Sequence, residues 1–207
     1  MKSIICQLGV RGATLDVIMN NLSDEQLVAG YLEGDEDALV FLVRKHTSSI
    51  YNFVAQIVGK GQNAEDITQE VFIKMWQAFK RFDNSKKFKT WLFRIAKNTA
   101  IDYLRKRKMI TIDLNVNNEE DEEVPIETLI DPVALPFESL VLQEQAEAVQ
   151  KAVEKLPEIY HAVLNLYYQE QLSLPEIAEI FDESIDTVKS RHRRALLKLK
   201  KLLISAP

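Results

Sequence analysis

Ala64-Glu-Asp-Ile-Thr-Gln-Glu-Val-Phe-Ile-Lys-Met-Trp76 is followed, after a short polar stretch, by Phe88-Lys-Thr-Trp-Leu-Phe-Arg-Ile-Ala-Lys-Asn-Thr-Ala-Ile-Asp-Tyr-Leu-Arg-Lys-Arg-Lys108. The first segment has a helical period with carboxylates on one side. The second has a helical period with cations and aromatic rings. Between Lys80 and Lys108 there are eleven Lys/Arg against two Asp, interleaved with Phe82, Phe88, Trp91, Phe93 and Tyr103. Cations hold phosphates and aromatic faces stack on unpaired bases, so this mixture suits single-stranded or opened nucleic acid. The same composition also suits a solvated helical face beside an apolar core, which is how most charge runs are used.

Apolar residues on either side of this pair recur at helical spacing, and no segment alternates strictly enough for a strand. Ser23 and Gln26 have the spacing of a capping box and open a short helix that stops near Gly34. The next helix presents Leu39, Leu42, His46, Ile50, Phe53 and Ile57 and ends near Gly59 and Gly61. Asn63 is expected to cap the third helix, whose apolar face is Ile67, Val71 and Met75 with Phe72, Trp76 and Phe79 alongside. The fourth helix turns Phe88, Leu92, Ile95, Thr99 and Tyr103 inward. Residues 1–22 match nothing downstream and are expected to be a mobile extension, with Met19 as an alternative start.

Composition changes after Lys108. Eleven acidic residues and no Lys or Arg lie between Asp113 and Glu147. Asn115–Glu123 lacks the apolar surface to offset its ordering entropy, and Pro125, Pro132 and Pro136 keep the next stretch from forming a long helix. Residues 109–137 therefore read as an acidic flexible linker between a helical bundle at 23–108 and a second unit at 138–207. In that second unit one helix, with Leu142, Ala146, Val149, Val153 and Leu156 inward, is broken by Pro157. The next carries Tyr160, Val163, Leu164 and Tyr167. A short helix opens at Ser173, with Pro175 in its first turn and Glu176 at the capping-box position. After Asp182-Glu-Ser184 a last helix runs from about Asp186 to Leu203. The expected fold class is all-α, in two small helical domains.

A net charge of −5 argues against nucleic acid only as a sum, because the charge is segregated. Seven Lys/Arg stand against one Asp between Ser184 and Lys201. Screening acts over roughly 8 Å at physiological salt, so the local patch outweighs the total. The single Cys6 and the scattered His46, His161 and His192 offer neither an internal disulfide nor a metal-ligand spacing, and no cofactor is implied. No apolar run approaches the roughly 20 residues of a membrane span, and no sustained leader is visible. Stable membrane insertion is not expected, and the chain reads as cytoplasmic.

Two helices joined by a tight turn, the second basic, follow the helix-turn-helix plan. The first turns of such a second helix enter the major groove, which puts Thr187, Lys189, Ser190, Arg193 and Arg194 at or near base edges and phosphates. Val188, Ala195, Leu196 and Leu199 would face the core. Arg can bond two acceptors on a guanine, whereas Lys and Ser more often hold phosphate or one base edge. A basic helix that solvates itself is the competing reading. His192 is expected at the surface or on the phosphate side.

Taken in order, Ala64-Glu-Asp66, Gln69-Glu-Val-Phe72, Thr90-Trp-Leu-Phe-Arg-Ile-Ala-Lys-Asn98, Asp102-Tyr-Leu-Arg105, Leu174-Pro-Glu-Ile-Ala178 and Thr187-Val-Lys-Ser-Arg191 with Arg194 resemble an extracytoplasmic-function (ECF) sigma factor. These are small relatives of bacterial sigma-70 that keep only regions 2 and 4. The resemblance spans about residues 24–203. It implies that Asp66, Gln69, Glu70, Phe72 and Lys74 dock on core RNA polymerase. It further implies that the loop Arg81–Lys87 and the following helix, through Lys86, Lys87, Lys89, Trp91, Lys97, Asn98, Asp102 and Arg105, open the −10 element and hold its single strand. Trp91 suits a core position at least as well as a stacking one. Thr187, Lys189, Ser190, Arg191, Arg193 and Arg194 would read the −35 duplex, and an anti-sigma factor would be a second partner. Glu119–Glu123 could mimic nucleic-acid charge in the polymerase RNA path or act only as a spacer. The protein alone would bind promoter DNA poorly, and it would not be an enzyme. Two other readings stay open: a conventional helix-turn-helix regulator, which would bind duplex without polymerase, and a nucleic-acid enzyme, which would need a metal cluster or phosphate loop that is not seen.

Overall fold

The computed structural model describes residues 22–83, 85–111, 149, 152–153 and 155–204, with 108–111 as backbone only. All of the expected extension at 1–22 except Leu22, most of the acidic linker and most of the helix before Pro157 lie outside the described residues. Among the described residues every regular element is helical.

Helix α1 (Asp24–Leu32) starts at the expected capping box, in which Ser23 and Gln26 exchange hydrogen bonds. Helix α2 (Glu36–Val58) follows a tight turn at Gly34 and ends at Gly59, whose φ of 89° requires glycine. Helix α3 (Gln62–Ala78) begins one residue before Asn63, so the cap is Gly61 and no side chain caps it. A single 3-10 turn (Phe79–Arg81) leads to α4 (Phe88–Thr111), which runs past Lys108, the expected end of the bundle.

In the second half, residues 149, 152 and 153 are helical, and Ala152 and Leu156 are buried. Val149, expected inward, is exposed. Helix α5 (Glu158–Leu164) widens into a π turn (Asn165–Gln169), and Gln171 leaves it with a left-handed φ of 57°. Helix α6 (Leu174–Phe181) has the expected box, with the Ser173 amide donating to the Glu176 carboxylate at 2.7 Å. Asp182 stands in the left-handed region (φ 61°, ψ 43°), which Asp tolerates better than most residues, and the chain turns into α7 (Ile185–Ile204). The Ser184 hydroxyl accepts from the Thr187 amide at 3.1 Å and caps that helix.

The core contains more than the sequence shows. Leu42, His46, Ile50, Phe53, Ile67, Val71, Met75, Phe88, Leu92 and Thr99 are buried, as their spacing predicts. Phe93, Ala96, Ala100 and Thr90 are buried as well, so α4 is covered on more than one side. Phe93 packs edge-on against Phe53 of α2 at 5.2 Å, and α6 also lies against α4. One continuous cluster runs from Leu27 through Phe53, Phe88 and Phe93 to Ala162, Leu166, Ile177, Ile180 and Val188. The described residues of the two expected helical domains share this core. Helices α4 and α6 lie against each other in it, with Phe93 and Ala96 buried on one and Ile177 and Ile180 on the other. A smaller cluster (Leu156, Leu164, Ala195, with Leu196 and Leu199 against it) seats α7 on α5.

Candidate nucleic-acid interface

At the N-terminal turns of α7, Thr187, Lys189, Ser190, Arg193 and Arg194 are exposed, while Val188 and Ala195 are fully buried behind them. This alternation follows from the helical period: burial of Val188 and Ala195, seven residues apart, turns the intervening polar side chains outward. Lys189 lies 3.5 Å from Asp186, whereas Arg193 and Arg194 have no ion-pair partner among the described residues. Arg191 differs from its neighbours. It is half-buried and paired with Glu183 of the turn, which fixes the turn against the helix. His192 departs from expectation: it packs against Tyr167 and Tyr168, with ring centroids at 4.7 and 5.7 Å, and desolvation there lowers its pKa.

On α3, Asp66, Gln69 and Glu70 are exposed, and Phe72 and Lys74 are half-buried. Gln62 donates to the Asp66 carboxylate at 3.0 Å. Lys74 pairs with Glu70 at 2.8 Å and reaches the Thr99 hydroxyl of α4 at 3.3 Å, so it ties two helices together as well as facing outward. Trp76, expected beside the core, is 57% exposed, and Ile73 is 54% exposed. Residues 66, 69, 70, 73 and 76 fall on one stripe at helical spacing. The sequence reading missed Ile73 and misplaced Trp76. Their three- and four-residue offsets from Gln69, Glu70 and Phe72 were the available signal.

The loop after α3 and the helix α4 carry the other cations. Trp91 is half-buried against Phe82, Phe88 and Phe79, with centroids at 4.8, 5.9 and 6.2 Å, so it buttresses the loop. Lys97 is half-buried, Asn98 is exposed, and Asp102 lies 3.8 Å from Arg105, both exposed. Lys86, Lys87 and Lys89 are occupied from within the chain. Lys86 pairs with Glu179 at 3.3 Å and Lys87 with Glu176 at 2.8 Å. Lys89 pairs with the Glu170 carboxylate at 2.7 Å and donates to its carbonyl at 2.7 Å. Arg94, which the sequence reading did not single out, reaches Asp182 at 3.5 Å. Burial opposes ionisation of Glu176, but the Lys87 ammonium and Ser173 outweigh it and lower its pKa; Glu176 in turn raises that of Lys87.

Among the described residues no three His, Cys, Asp or Glu converge as metal ligands, and no helix is long and apolar enough to cross a membrane.

The two halves match two parts of one family. Sigma-70 region 2 matches residues 42–109, and sigma-70 region 4 matches residues 146–199. Over 172 residues the chain is 37% identical to the ECF RNA polymerase sigma factor SigW of Bacillus subtilis, covering 83% of this chain and 91% of that protein. The chain is an ECF sigma factor of the sigma-70 family. This sigma factor is also 32% identical over 174 residues to the ECF RNA polymerase sigma-E factor of Escherichia coli K12, covering 84% and 91% of the two chains. Among solved structures it is similar to the sigma factor RpoE of Bartonella quintana, solved with the anti-sigma factor NepR. The TM-score is 0.57 at 25% identity, over 80% of this chain and 96% of that one. CnrH, solved with the cytosolic domain of CnrY, shares the fold at 24% identity and a TM-score of 0.59, over 89% of this chain and 99% of that one.

Proposed function

We propose that this sigma factor binds core RNA polymerase, reads a −35 element with α7, melts a −10 element with the loop 81–87 and α4, and so starts transcription. Residues 23–108 act as the −10 and polymerase-binding half and 138–207 as the −35 half. The observation that carries the reading is the exposed pair Arg193 and Arg194 on the second helix of a turn closed by left-handed Asp182, in a chain that matches regions 2 and 4 in order. Thr187, Ser190, Arg193 and Arg194 face the groove, and Lys189 holds phosphate. Arg191, tied to Glu183, positions the helix. Asp66, Gln69, Glu70, Phe72 and Lys74 make the polymerase contact, with Ile73 and Trp76 as its apolar centre.

Melting is an exchange of contacts. Taking a base out of the stack costs a few kcal/mol. Asn98, Lys97, Asp102 and Arg105, with the loop that Trp91 supports, offset this by binding the extruded strand. The factor has no catalytic step of its own; bond formation belongs to the polymerase, and the site of action is the cytoplasm. By analogy with the RpoE–NepR complex, an anti-sigma protein is its second partner.

The test is permanganate footprinting of the holoenzyme on a promoter fragment. Asn98→Ala should reduce thymine reactivity at the −10 element more than it reduces closed-complex binding. Reactivity identical to the unsubstituted protein would remove Asn98 from the melting surface.

A further inference from the structure

We propose that Tyr168 is a further DNA-contacting residue, whose hydroxyl donates to a backbone phosphate at the edge of the groove that α7 reads. The inference rests on the −35 assignment above and adds to it a contact from outside the helix-turn-helix.

Tyr168 stands in the π turn before α6, yet its ring packs on α7. It stacks on His192 with centroids 5.7 Å and planes 28° apart. Tyr167 packs against both rings, 4.7 Å from His192 and edge-on at 4.9 Å from Tyr168. Two consecutive residues of one element thus hold a single side chain of the reading helix. The backbone beneath them is fixed as well. Left-handed Gln171 turns the chain back, its side-chain amide donates to the Tyr168 carbonyl at 2.7 Å, and the Leu172 amide donates to the Leu166 carbonyl at 3.0 Å. A π turn is itself a geometry often found at functional positions.

Helical geometry fixes which side of α7 the ring borders. At 3.6 residues per turn, His192 lies roughly 40° round the helix from buried Val188, and Lys189 and Arg193 follow roughly 60° and 100° farther in the same sense. Tyr168 therefore lines the Lys189–Arg193 edge of the exposed face. The opposite edge is closed within the protein by Arg191 and Glu183. The Tyr168 edge is open: the residue is 51% exposed, and its hydroxyl has no partner among the described residues. A ring packed on one side with a wet polar tip is how tyrosine serves an interface. Partial burial, with Tyr167 adding to it, raises the Tyr168 pKa, so the hydroxyl keeps its proton and remains a donor. With α7 in the major groove and the preceding elements over the backbone, phosphate oxygens run along this edge. Stacking has already fixed the ring, so little rotamer freedom is lost on binding.

The experiment measures closed-complex binding of the holoenzyme, over a salt series, to a promoter duplex whose start site requires both this protein and core polymerase. Tyr168→Phe keeps the stack and removes only the hydroxyl. It should weaken binding about threefold to tenfold, equally on promoters substituted at each −35 base, with the thermal midpoint of the protein unchanged. The salt slope should also stay the same, because a neutral hydroxyl displaces no counterion, whereas Lys189→Ala should flatten it. Single methylphosphonate linkages around the −35 element then locate the contact. At one position the substitution should weaken the unsubstituted protein at least about threefold more than it weakens Tyr168→Phe. A loss confined to one base pair, or one accompanied by a lowered thermal midpoint, would overturn the phosphate contact. If Tyr168→Phe binds like the unsubstituted protein while Arg194→Ala binds weakly, the contact alone fails and the ring is only a buttress for α7. If Arg193→Ala, Arg194→Ala and Tyr168→Phe are all without effect, the −35 assignment fails and the contact with it.

Discussion

Arg193 and Arg194 are adjacent, exposed and free of ion pairs among the described residues, so their guanidinium groups are available to planar acceptors. Replacing either with Ala should cost roughly 1–3 kcal/mol at the −35 element if it contacts a base edge, and should relax preference at one position. Binding of holoenzyme to a panel of singly substituted promoters would measure this, and an equal loss on every sequence would reassign that arginine to phosphate. Asp24 makes a different kind of residue-scale statement. Burial pushes its carboxyl up, but buried His46 at 2.9 Å and Lys45 at 2.8 Å outweigh it and lower its pKa from 3.8 to about 2. The folded state thus prefers ionised Asp24, so its stabilisation is complete above about pH 4 and drains away as pH falls toward 2. Asp24→Asn should lower the urea midpoint at pH 7, and the gap from the unsubstituted protein should narrow between pH 4 and pH 2. A gap that stays constant with pH would contradict this assignment.

At the scale of elements, α3 shows two faces with different duties. Ile67, Val71 and Met75 hold it in the core, while Ile73 and Trp76 expose apolar surface to solvent. Large exposed apolar side chains in line with charged ones are the usual composition of a contact centre. Ile73→Ser and Trp76→Ser should each change stability by no more than about 0.5 kcal/mol, yet weaken core polymerase binding by about 2 kcal/mol or more if they are its anchors. Thermal unfolding and a polymerase pull-down, run side by side, would distinguish loss of contact from loss of fold. Much of this level was legible beforehand. Both capping boxes, the turn at Asp182-Glu-Ser184 and the buried faces of α2 and α7 follow from local spacing, because caps and periods are short-range physics. Trp76 was misread: its offsets place it on the exposed stripe with Ile73, but a helical period alone does not say how far the apolar face extends. Asn63 failed as a cap because Gly59 and Gly61, both with φ beyond 80°, let the helix begin one residue earlier.

At the scale of the whole molecule, the sequence suggested two bundles and the structure joins them. Thr90, Phe93, Ala96 and Ala100 were not read as core; Phe93 packs on Phe53 of α2 at 5.2 Å, and α6, which also lies against α4, is more than seventy residues away across an acidic segment. A shared core has a thermodynamic consequence. Heating the intact chain should give one cooperative transition, with tryptophan fluorescence and far-ultraviolet dichroism coincident; two separated transitions would show that the halves melt independently. The −35 candidates Arg193 and Arg194 remain exposed in the closed molecule, whereas Lys86, Lys87 and Lys89 of the −10 candidates do not remain unpaired. The candidate −35 and −10 residues are therefore unequally available in this structure.

The most direct test combines the purified protein with bacterial core RNA polymerase on a pool of promoter fragments from its own genome, and maps the RNA 5′ ends. The account predicts discrete start sites that appear only when both are present, with shared −35 and −10 sequences upstream. Absence of binding and initiation with core, together with tight capture of particular duplexes by the protein alone, would contradict it.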